Sequence, residues 1–401
     1  MAQSHTTAAA PARDARHLLL VGLMFVGFIS LGLPDGLLGV AWPSMAASRG
    51  VSLDALGMLL AAASAGFIAA SVFSGRLIAR LGVGGLLAAA SLTTALSLLG
   101  FALAPTWWML LPMAMLLGAG GGCIDGGLNN YAAATTSPRV LTWLHGFYGV
   151  GATAGPLLMT ALLTGGQPWQ NGYLAVGLGQ LALALCFALT RGRWAAHAPA
   201  EAHAVRSAVG LRATLALPAV WLSALLFVLY TGLEVSAGQW AYTLFTVGRG
   251  VDPALAGQWV ALYWGGLTAG RFVAGAVARR LTPRALLWIG SIGAAVGAAM
   301  LGLLAAPWAS AMGMVLMGFA LAPIFPALIG TTAERVGGAH AANAIGLQVA
   351  SANIGAAGIP WLIGLVAAGA GIPAIGPAVV VVAAVYMALF VAAMARRPRG
   401  A

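Results

Sequence analysis

The sequence predicts an all-α membrane protein of twelve transmembrane helices, arranged as two pseudo-symmetric six-helix bundles. Three observations carry that expectation. Hydrophobic residues make up 61% of the chain and charged residues 7%, at a mean hydropathy of +0.94, which excludes a soluble domain. At roughly 20 apolar residues per crossing, 401 residues hold about a dozen spans with short loops. Landmarks also recur at an offset of about 200 residues: Arg49-Gly50-Val51 returns as Arg249-Gly250-Val251, and GVGATAGP (149–156) as NIGAAGIP (353–360). MLLGAGGG (115–122) and MVLMGFAL (314–321) lead in turn into the pairs Thr135-Thr136 and Thr331-Thr332.

The elements follow in order. Residues 1–17 form a polar tail containing Arg13 and Arg16, before an apolar run too long for a signal-peptide core, so the tail is expected to be retained and cytoplasmic. Apolar segments punctuated by Arg, Pro and Gly then occupy 18–44, 52–75, 84–104, 107–135, 141–164, 171–190, 218–246, 254–278, 284–305, 308–332, 341–367 and 373–395. Connections such as 104–107 and 369–373 are short and uncharged, whereas 191–217 is long and polar. That linker divides an N-terminal bundle, 18–190, from a C-terminal bundle, 218–395, and the chain closes on a tail at 396–401.

Charge sets orientation. Arg76, Arg80, Arg139, Arg191, Arg206, Arg279, Arg284, Arg335 and Arg396 fall on one side of a twelve-span path, Arg49 and Arg249 on the other, and Arg271 inside a span. The arginine-rich side is expected to be cytoplasmic, with both termini and the linker, in a cell membrane. The net charge of +11 does not mark a nucleic-acid partner, because no basic stripe or aromatic RNA-binding motif accompanies it. Every basic residue is Arg and none is Lys, which reads as genomic composition bias. Cys123 and Cys186 offer neither a disulfide framework nor metal spacing. GxSxG, HExxH and P-loop motifs are absent, so neither an enzyme, a cofactor nor direct ATP drive is expected.

Chemistry is expected at three acids, Asp35, Asp125 and Glu234, which interrupt apolar segments in a chain with only eight acidic residues. A charge at the bilayer centre costs roughly 2.5–3.5 kcal/mol, and such residues face a bundle interior or wet cavity, where they mark proton, ion or substrate paths. Asp125 and Asn129 share a helix face at i, i+4 among closely spaced glycines, a pattern that also suits helix packing. Asp35 follows Pro34, which is expected to break or bend the first span and open a cavity there, or to leave backbone groups for the acid to satisfy. Glu234, Gln239 and Trp240 lie in the seventh span, the pseudo-symmetric partner of the first, where they suit a polar ligand; Trp240 equally suits an interfacial anchor. His145 and Tyr148 open the fifth span, the histidine as a proton relay or an interfacial donor. Arg271 is placed to gate, to pair with a cavity acid or to snorkel, and Gln348 and Asn353 are plausible cavity polars. Asp35, Asp125, Asn129, Glu234 and Gln239 are expected to line one shared space.

With twelve spans, a central loop and these repeats, the chain resembles the major facilitator superfamily. Gly75-Arg76-Leu77-Ile78-Ala79-Arg80-Leu81-Gly82 looks like a degenerate copy of that superfamily's cytoplasmic motif, with Ala79 where an Asp is usual; Arg76 and Arg80 are its gating or charge-pairing residues. Leu33-Pro34-Asp35-Gly36, Gly122-Cys123-Ile124-Asp125 with Asn129-Asn130, and Leu144-His145-Gly146-Phe147-Tyr148-Gly149 resemble the fucose-permease-like branch of proton-linked sugar symporters. The resemblance implies proton coupling at Asp125 and Asp35, and solute binding around Asn129, Asn130, His145 and Tyr148. The resulting expectation is a monomeric secondary transporter of a small polar solute such as a sugar, driven by proton symport through alternating access. A proton antiporter exporting drugs or metabolites, and a non-transporting sensor on the same scaffold, stand as alternatives.

Overall fold

The computed structural model describes residues 11–194, 209–278 and 280–395. Arg206, Arg279 and the tail from 396 lie outside the described residues. Eleven helices of 15 residues or more carry the fold: α1 (Pro11–Arg49), α2 (Leu56–Leu103), α3 (Trp107–Thr135), α4 (Pro138–Thr164), α5 (Gln170–Thr190), α7 (Pro218–Thr243), α8 (Pro253–Val277), α9 (Pro283–Leu303), α10 (Pro307–Leu321), α13 (Ala341–Ala370) and α14 (Ile375–Ala395). Short helices α6 (Leu211–Leu215), α11 (Ile324–Gly330) and α12 (Thr332–Val336) fill connections and ends.

Among the described residues, ten segments are long and apolar enough to cross a membrane. One of them, Leu53–Leu103, holds two crossings, because α2 folds back at Gly82, whose φ of 68° is a left-handed conformation that suits glycine. The packing of α3 demonstrates the reversal. Along α3, Gly118 and Gly122 meet Ala63 and Phe67 in parallel order, whereas Gly120 and Gly127 meet Thr94 and Leu87 in antiparallel order. With α8, whose 25 residues rise about 37 Å, the chain makes twelve crossings.

Several features differ from the sequence expectation, beginning with the first span, which is expected over 18–44 and runs from Pro11 to Arg49. Residues 76–81, expected in a loop, continue the helix to Gly82. The tenth span stops at Leu321 and resumes at Ile324, since Pro323 supplies no backbone donor. Pro34 does not break α1, which runs through both Pro34 and Pro43. Close backbone packing holds that stretch: a β-carbon at Gly32 would lie 2.1 Å from the Tyr148 carbonyl oxygen on α4.

The repeat is a repeat of packing. A β-carbon at Gly151 would lie 2.0 Å from the Ile29 oxygen, and one at Gly355 would lie 2.1 Å from the Val228 oxygen. The two similar glycine motifs thus seat α4 on α1 and α13 on α7 in the same way. Gly50 and Gly250 both take positive φ, 64° and 66°, and Val51 and Val251 both donate back into the preceding helix, to Ala46 and Phe245. Arg49 donates to the Pro105 oxygen in the turn between α2 and α3 at 3.0 Å, and Arg249 to the Leu301 oxygen in the last turn of α9 at 2.7 Å.

The halves meet along α4 with α8, α2 with α13, and α1 with α7. Near the Arg49 and Arg249 end they are sealed. A β-carbon at Gly57 would lie 2.2 Å from the Trp361 ring, and one at Gly364 would lie 3.0 Å from the Asp54 Cα.

Candidate functional site

The packing of α1 on α4 brings Tyr148 to Asp35, and the Tyr148 hydroxyl donates to Asp35 Oδ2 at 2.6 Å. From the other half, Gln239 Nε2 on α7 donates to the Asp35 backbone oxygen at 3.0 Å. Asp35 is exposed, although Pro34 and Gly36 on either side of it are buried. Its neighbours belong to both halves, so the exposure is to space between them.

Glu234 anchors the C-terminal side. Tyr230, one turn earlier on α7, donates to Glu234 Oε2, and Tyr263 on α8 donates to the Glu234 backbone oxygen at 2.7 Å. Arg271 Nη2 stands 3.8 Å from Glu234 Oε1, with side chains 27% and 12% exposed. A charge-assisted bond is usually about 2.7–2.9 Å, so this pair is loose and partly wetted. The guanidinium also lies 6.0 Å from the Tyr148 ring centroid, within cation–π range. Asp35, Tyr148, Arg271 and Glu234 thus form a chain across α1, α4, α8 and α7.

Asp125 and Asn129 do not join it. Asn129 Nδ2 donates to Asp125 Oδ1 at 3.0 Å along α3. Gly27 on α1 meets Leu128, and Gly121 meets Leu31. This register sets Asp125 about 10 Å along the molecule from Asp35, toward the arginine-rich end. The residues expected to share one space therefore lie at two levels, Asp35 with Glu234 and Asp125 with Asn129.

The other predicted residues separate in the same way. His145 is exposed, one turn before Tyr148, with Phe28 edge-on at 5.3 Å, and Asn130 is exposed on α3. Trp240 is fully buried and donates to the Pro360 oxygen at 2.9 Å, so it packs α7 on α13 and faces away from the cluster. Gln348 is likewise buried, accepting from Thr332 at 3.0 Å, and Asn353 donates to the Val349 oxygen of its own helix at 3.0 Å. Arg76 stands 5.8 Å from the Phe73 ring, and among the described residues neither Arg76 nor Arg80 has an acidic partner. No group of possible metal ligands occurs among the described residues.

Tyr230 and Tyr263 are the residues that sequence reasoning missed. The i, i+4 spacing of Tyr230 and Glu234 was a readable signal. Tyr263 approaches from another helix and left none.

The Major Facilitator Superfamily profile matches residues 24–360. The chain belongs to the major facilitator superfamily. It is therefore a multi-pass membrane transporter of the secondary type and not an enzyme. No curated protein matches it in sequence. Among solved structures it is similar to a mutant of the nucleoside transporter NupG, with a TM-score of 0.74, 14% identity and coverage of 93% of this chain and 100% of that one. It is also similar to a bacterial homolog of the human lysosomal transporter Spinster in an inward-facing, unoccupied conformation (TM-score 0.68, 16% identity, 96% of each chain). A mutant of the E. coli fucose:proton symporter FucP matches with a TM-score of 0.63 at 16% identity, covering 94% of this chain and 97% of that one. At such identities these likenesses show the fold.

Proposed function

We propose that this transporter takes up a small, neutral, hydroxyl-rich solute, a monosaccharide or similar polyol, by proton symport. One observation carries the reading. Among the described residues, the only ion pair joins Arg271 to Glu234, which leaves Asp35 and Asp125 with hydrogen-bond donors but no cation. An acid so placed in a bilayer is expensive as an anion, and a proton that travels with the solute removes that cost. The surrounding groups suit hydroxyls: Tyr148, Arg271 and the Gln239 amide donate, and Glu234 and Asp35 accept. FucP, a fucose:proton symporter, and NupG, a nucleoside transporter, share the fold, and both names denote hydroxyl-bearing cargo.

In this reading 18–190 and 218–395 are the rocking bundles of a monomer in the cytoplasmic membrane, joined by the 191–217 linker. The termini and linker lie in the cytoplasm, and Arg49 and Arg249 outside. The stretch 149–156 only partly meets the Pro- and Gly-dense pattern expected of an antiporter's fifth span, and packing of its glycines on α1 and α8 accounts for them.

A thermal-shift screen of purified protein against monosaccharides, polyols, nucleosides and cationic drugs tests the solute class. A ligand at about 100 times its Kd stabilises the folded state by roughly 2.7 kcal/mol. Stabilisation by a neutral polyol is expected. Stabilisation by hydrophobic cations alone would contradict the reading.

A further inference from the structure

We propose that Tyr148 is the positioning residue that links protonation of Asp35 to the Arg271–Glu234 pair. The inference rests on the proton-symport reading and assigns Tyr148 a coupling role rather than solute contact alone. Tyr148 touches both halves with different parts of one side chain. Its hydroxyl donates to Asp35 Oδ2 on α1, while its ring carries the Arg271 guanidinium of α8. The backbone there has little freedom. The Tyr148 oxygen sits against Gly32 of α1, and a β-carbon at the following Gly149 would lie 2.0 Å from Thr268 Oγ1 of α8. Changes at Asp35 are therefore passed on through the side chain.

The physics runs in one direction. An ionised carboxylate only accepts hydrogen bonds, so it holds the phenol as a donor and enriches the ring's negative face. The ring then competes with Glu234 for Arg271, consistent with the long 3.8 Å separation of that pair. A protonated Asp35 carries its own donor and is a weaker acceptor. The phenol is released, the ring's hold weakens, and Arg271 closes on Glu234. The titratable and charged groups facing this unit are Asp35 from α1, Arg271 from α8, Glu234 from α7, Tyr173 from α5 and His145 one turn earlier on α4, with Tyr230 and Tyr263 behind Glu234.

Arginine footprinting with phenylglyoxal, read at Arg271 by mass spectrometry at one fixed pH, tests this without a known solute. D35N stands in for protonated Asp35, and it should lower Arg271 modification several-fold relative to the wild-type protein. In the Y148F background, which keeps the ring but removes the hydroxyl, D35N should no longer change it. Y148L, lacking the ring as well, should show the same loss of dependence; melting temperatures identify any variant that has not folded. A D35N effect of equal size with Tyr148 and with Y148F, or no D35N effect in either, would overturn the inference. The symport reading is tested separately: wild-type liposomes that ignore a pH gradient would remove it whatever the footprint shows, and a response to the gradient with an unlinked footprint removes only the role of Tyr148.

Discussion

Replacing Arg271 with glutamine is expected to destabilise the protein by about 2 kcal/mol and to abolish transport. Glu234 is fixed in place by Tyr230 and by Tyr263, which binds its backbone, so it cannot swing away to water once its cation is gone. Removing one partner of a buried pair typically costs about 3–5 kcal/mol, because the other charge is left uncompensated. The 3.8 Å separation and the 27% exposure of Arg271 argue for a value below that range. The loss should appear as a lower melting temperature in detergent. Adding Glu234→Gln should restore most of it without restoring transport, since a solute then meets neither charge. Equal stability of the Arg271→Gln protein and the wild type would show that water already screens the pair.

The second large effect concerns the seal near Arg49 and Arg249. Gly57→Leu places side-chain atoms where the Trp361 ring now lies, with a β-carbon 2.2 Å from it. Overpacking of this kind costs about 1–3 kcal/mol. Because α2 and α13 belong to different halves, the strain is relieved by parting them and not by repacking one bundle. At about 1.4 kcal/mol per tenfold, the population open at that end should rise about ten- to hundredfold. A cysteine replacing Thr160 of α4, which meets Gly257 of α8 between the same two halves, would report this through its rate of labelling by a water-soluble maleimide. Gly57→Ala should give a smaller change in the same direction. Unchanged labelling with intact folding would mean that the Gly57–Trp361 contact is not part of the seal.

Much of the fold was legible because membrane spans advertise themselves by length and apolarity, and because the repeat left matching landmarks. Arg49-Gly50-Val51 and Arg249-Gly250-Val251 proved to be the same helix end used twice. The site was legible only in part. Asp35, Tyr148, Glu234, Gln239 and Arg271 are brought together, but their partners were not readable, since contacts between α1, α4, α7 and α8 depend on rotation about each helix axis. Helices that are apolar all round carry no stripe to fix that rotation. Gln239 and Trp240 illustrate the point: adjacent in sequence, one reaches Asp35 and the other packs against α13. Pro34 is a related case. Its lost donor allows a break or a bend, and of these the break does not occur: the glycine-mediated contact of α1 with α4 accompanies a continuous helix. Asp125 shares a helix face with Asn129, as its spacing implied, but its level relative to Asp35 is not encoded by spacing across separate helices.

Proton coupling through Asp35 and Asp125 is the centre of the proposal. Asparagine at position 125 keeps the shape of the protonated acid and an oxygen for Asn129 to donate to, but it cannot release a proton. The most direct measurement compares wild-type, Asp125→Asn and Asp35→Asn proteins in liposomes, using the solute that gives the largest thermal shift. Accumulation driven by an inward proton gradient is read against counterflow exchange at equal pH. Wild-type vesicles should accumulate solute only while the gradient lasts, and both variants should exchange without accumulating. Gradient-driven accumulation by Asp125→Asn and Asp35→Asn at the wild-type level would contradict the proposal.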